Sequence, residues 1–132
     1  MTRLMTLASL VILMSTPTFA TSEFSRQWKA DYLGEDADPD FVKTARRASC
    51  YVCHIKGHPD KKEARNEYGR AMLEFLDKET YSRDYVKANP EEAAKQITAG
   101  FKKAGEKMSS SGETFAAKLK ANKLPAEDAG LD

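Results

Sequence analysis

Residues 50–54 read Cys50-Tyr51-Val52-Cys53-His54, and no other feature constrains this 132-residue chain as sharply. These two cysteines are the only ones it has. A disulfide across so short a loop removes little chain entropy, so the pair is a poor staple and reads as chemical rather than structural. A redox dithiol of the thioredoxin kind expects a strand before the motif and a βαβ pattern around it. Neither is visible. Zinc has four donors on paper in Cys50, Cys53, His54 and His58. Adjacent Cys53 and His54 cannot easily face one tetrahedral centre, and structural zinc sites usually draw ligands from two separate pairs.

C-x-x-C-H is also the spacing of c-type haem attachment. Two thiols three positions apart on a helical turn reach the two vinyl groups on one porphyrin edge and form thioethers. The next residue, His54, is then held beneath the iron, where an imidazole commonly supplies the proximal bond. Cysteine is scarce here, and an accidental match in a chain this long would arise on the order of once in a thousand.

The first twenty residues have the three parts of a secretory signal. Arg3 precedes an apolar run from Leu4 to Met14, and Thr18-Phe19-Ala20 offers a small residue at the exit. The run is shorter than the ~18 residues a span requires. The expectation is cleavage after about Ala20 and a periplasmic protein of residues 21–132, with no stable membrane insertion. Disulfides and haem attachment both belong to the exported side. Arg3 is the only charge in that segment, so the remaining 20 basic residues balance 20 acidic ones. That balance argues against nucleic acid and against a polybasic membrane anchor.

The exported part is helical in pattern and poor in Leu, Ile and Val for its size, so either it is partly disordered or something non-protein completes its core. Trp28 and Tyr32 lie one turn apart in a short helix, Gln27 to Leu33. Asp38-Pro39-Asp40 opens a second that carries Phe41, Val42 and Ala45 and runs into Cys50. A stripe of Ala64, Tyr68, Met72, Phe75 and Leu76 predicts a helix over Lys61 to Asp77. Tyr81, Tyr85 and Val86 suggest further turns. Asn89-Pro90-Glu91-Glu92 and Gly105 bracket another helix, with Ala94, Ile97, Phe101 and Ala104 on one face. Met108 opens a Ser/Gly loop. A last helix carries Phe115, Ala116 and Leu119 to about Asn122, and a frayed tail is expected after Pro125. The fold class is all-α.

With the motif early, just after a helix, and helices following to the end, the chain resembles small mono-haem class I c-type cytochromes of exported bacterial type. Arg65-Asn66-Glu67-Tyr68-Gly69 and Thr114-Phe115 to Lys123-Leu124-Pro125 are similar to segments of that group. The resemblance covers residues 38–125. It implies a small helical domain wrapped around one covalent haem c, with iron cycling between ferric and ferrous states. The function implied is electron transfer between redox partner proteins, with no substrate transformed. It implies thioether bonds at Cys50 and Cys53, His54 as proximal ligand and a late methionine, Met108, as distal ligand. Met72, His58 and an open site are the alternatives. An open site would suit a haem-based gas sensor or a minor peroxidase. Arg65, Lys61 and Lys62 are candidate partners for haem propionates, the alternative being a solvated helix face. Trp28, Phe41, Tyr68, Phe75, Phe101 and Phe115 are expected to line the haem pocket and the helix contacts. Without haem the chain should be largely unfolded.

Overall fold

A side-chain cap marks the start of four of the helices. In a computed structural model, which describes residues 22–60 and 63–128, there are six helices among the described residues. They are α1 (Ser22–Tyr32), α2 (Pro39–Ala48), α3 (Glu67–Leu73), α4 (Arg83–Ala88), α5 (Pro90–Gly105) and α6 (Phe115–Lys120). Asp38, Asn66, Ser82 and Thr114 each accept a backbone N–H from the first turn of the helix they precede. Such caps satisfy donors that a helix start leaves orphaned. Pro39 and Pro90 sit at first helical positions, where their missing N–H costs nothing. Described residues form no strand, only isolated bridges at His54–Arg65 and Met108–Thr114. The all-α expectation holds. The signal segment and Lys61–Lys62 lie outside the described residues.

The central helix is α5, which contacts α1, α3, α4 and α6. Its buried positions, Ala93, Ile97, Gly100, Phe101 and Ala104, recur at helical spacing along one face. Ala93, rather than Ala94, begins that face. Glu91 and Glu92 in its first turn and Lys102 and Lys103 in its last complement the helix dipole. Gly100 is needed because a Cβ there would run into the Leu76 side chain. Around α5 the rings interlock. Tyr32 lies 6.4 Å from Phe101 and Tyr68 lies 5.2 Å from Phe115, measured between centroids. The Trp28 indole N–H donates to the Tyr68 hydroxyl at 2.9 Å, so the polar ends of both buried rings are paired.

Two segments depart from the sequence pattern. The long helix over Lys61 to Asp77 is instead seven residues, Glu67–Leu73. Asn66 is the reason. Its N–H donates to the Cys53 carbonyl, and the residues before it run alongside the motif, with Ile55 N–H donating to Ala64 O. Pairing with the motif outweighed the helical stripe. The tail is not frayed as far as it is described. Pro125 and Ala126 are buried, and Lys56 N–H reaches the Asp128 carbonyl at 3.4 Å.

Candidate functional site

The motif is itself a turn of helix. α2 ends at Ala48, Ser49 adopts the left-handed region at φ 52°, and a 3₁₀ turn over Ser49–Val52 follows. Cys53 and His54 N–H groups both donate to the Cys50 carbonyl, at 3.3 and 3.1 Å. Cys50 is exposed and Cys53 half-buried, and both are free thiols. Burial pushes the Cys53 thiol up to about 12, with Arg65 opposing the shift.

His54 is 6% exposed, and its Nδ1 lies 3.1 Å from the Ala64 carbonyl oxygen. A carbonyl oxygen only accepts, so this contact suits the Nδ1–H tautomer, in which Nε2 has the lone pair that a metal takes. Fixing the ring through its other nitrogen is how proteins orient ligand histidines. Asn66 fastens the same frame. It is 1% exposed, and its side-chain amide donates to Val52 O at 3.0 Å while its Oδ1 accepts from Gly69 N–H at 2.9 Å. Gly69 then meets the motif so closely that a Cβ would collide with the Cys53 carbonyl oxygen. Sequence reasoning missed Asn66 as a clamp. An Asn followed by an acid is a helix-start signal, but the apolar stripe running through it hid the boundary.

Beside the motif lies a cleft of about 270 Å³. One wall is α1 with Phe24 and Trp28, continued by Leu33 just after it, and α2 adds Ala45. Another is α3 and the turn after it, with Met72, Leu73 and Leu76. Cys50, Val52, Cys53 and His54 form the side nearest the motif. The charged lining residues are Lys29, Arg65 and Lys78, with no carboxylate among the described ones. Of the propionate candidates, Arg65 is therefore at the cleft, while Lys61 and Lys62 lie outside the described residues. Lys29 and Lys78 were not foreseen, because a lysine among so many carries no sequence signal. Trp28 lines the cleft as expected; Phe41, Phe101 and Phe115 are buried in the core but do not line it.

This lining fits a haem. It has paired thiols and an oriented imidazole on one side, apolar walls for a flat ring, and cations for carboxylate substituents. Met108 is not brought to it. Met108 is 63% exposed and paired with Thr114 in a bridge. Its loop is closed by Ser109 N–H to Glu113 O at 2.8 Å and pinned where Glu67 accepts from Ser110 N–H at 2.8 Å. His58 also lies elsewhere, with its Nδ1 accepting the Asp60 N–H at 3.1 Å. Among the described residues, no three His, Cys, Asp or Glu side chains converge as a cation site, so the zinc donor set does not assemble. No helix among them is long and apolar enough to cross a membrane.

Compared with known proteins, the chain matches no family model, no curated sequence and no solved structure.

Proposed function

We propose that this protein is an exported one-electron carrier with a single haem c bound through Cys50 and Cys53, and His54 as its proximal ligand. The observation that carries the reading is the C-x-x-C-H turn opening onto an apolar cleft with its histidine already oriented by the Ala64 carbonyl. When bound, the haem iron supplies a ferric/ferrous couple. The chain's own residues do the rest. Ala64 holds the Nδ1 proton and so presents Nε2. Asn66 and Gly69 keep the motif and α3 in one rigid frame. Phe24, Trp28 and Leu76 would shield the ring from water, and Lys29, Arg65 and Lys78 in the same lining would offer cations to its acidic substituents. Cys50 is exposed, which leaves that edge of the ring near the surface for transfer to redox partner proteins. Export and a periplasmic location belong to the same proposal.

Pyridine haemochrome analysis tests it, on protein produced with a haem-attachment system and extracted with acid-acetone. The expected result is a c-type spectrum at one haem per chain that survives extraction. Colourless protein, or pigment that washes out, would contradict it. A second reading, a gas-binding or peroxide-reactive haem protein, is favoured by the exposure of Met108. That residue does not line the cleft. Rapid carbon monoxide binding by the unmodified ferrous protein is its signature.

A further inference from the structure

We infer that Met72, not Met108, is the second axial donor to the iron. The inference rests on the haem-attachment reading and deepens it. Met72 provides the thioether in the cleft lining. It is one helical turn beyond Gly69, the residue whose backbone abuts Cys53. His54 and Met72 are therefore presented to one cavity by elements locked together through Asn66 and Gly69. Its stripe neighbours Tyr68 and Leu76 are 0% and 2% exposed, whereas Met72 is only partly buried and borders open space. Met72 packs against the core on one side and lines the cavity with His54 on the other. The other donors there are weaker rivals. Lysine and serine side chains, the other donors in the lining, are not among the usual haem ligands. Met108 would have to break the Ser109–Glu113 and Ser110–Glu67 bonds to leave its loop.

The test is near-infrared spectroscopy of the full haem-loaded chain in its ferric state, with haem content measured in parallel. The wild type should show a sulfur-to-iron charge-transfer band. Met72→Leu, which conserves volume, should lose that band, keep its covalent haem and bind carbon monoxide rapidly once reduced. Met108→Leu should keep the band. The inference is overturned if the wild type has no such band, or if Met72→Leu retains it. Should Met72→Leu fail to accumulate, Met72→His supplies a donor of comparable reach, and a band persisting there overturns the inference equally. Protein that carries no haem in any form sinks the attachment reading itself; loaded protein with an unaltered Met72 variant sinks only the ligand assignment.

Discussion

The two halves of this molecule are closed by different means. On the α5 side, protein packs against protein: Ile97, Phe101 and Phe115 are each 1% exposed, and rings from α1, α3 and α6 meet around them. On the motif side the same helices α1 and α3 turn apolar residues toward a cleft that no side chain fills. The motif half is held instead by backbone hydrogen bonds and one asparagine. A chain short of Leu, Ile and Val finishes one such core by itself, and the proposed haem would close the other.

The largest effect should come from breaking the packed half. Phe101→Ala removes a buried ring from the hub of α5 and should cost about 3–5 kcal/mol. Thermal unfolding of the haem-loaded protein should show that loss. Gly69→Ala attacks the seam between the halves. Its Cβ would meet backbone rather than a yielding side chain, so α3 must shift, at about 1–3 kcal/mol. Haem content should fall with it, whereas Gly100→Ala, which meets only Leu76, should lower stability without lowering haem content. Equal haem yields from the two glycine variants would dissolve the distinction.

Much of this was written in the sequence, and the omissions have physical reasons. Asp38-Pro39 announces α2 through a local cap, and Pro90 at the first position announces α5, although the Asn89 side chain donates to the Tyr85 carbonyl instead of capping it. α3 was overextended because hydrophobic period says nothing of a competing partner, here the motif backbone bonded to Ile55 and Asn66. The thiols and histidine were legible from spacing alone. Lys29, Lys78 and Asn66 join them only through contacts between residues far apart in the chain. Met108 was expected near the iron from its late position, whereas it is exposed and absent from the cleft lining, on a loop closed by Ser109 on Glu113 and by Ser110 on Glu67.

Smaller effects sharpen the comparison. Asn66→Ala removes a cap and the tie to Val52 O, and should cost about 1–2 kcal/mol. Its hydrogen-exchange signature should be confined to residues 50–56 and α3. Amides in α5 should exchange as in the wild type, and a uniform rise across both halves would contradict the division. The least change in stability is expected from Lys29→Gln with Lys78→Gln, within about 0.5 kcal/mol for exposed substitutions. If those ammoniums face propionates, the double variant should instead shift the reduction potential downward, since lost positive charge favours the ferric state.

The most direct measurement of the central claim is the intact mass of the protein purified from the envelope of cells that attach haem. The expected mass is that of the processed chain plus one haem, and it should stay unchanged through acid-acetone. The same preparation of a Cys50→Ala, Cys53→Ala double variant should carry none. Wild-type protein at the bare polypeptide mass, or pigment that persists in the double variant, would contradict the account.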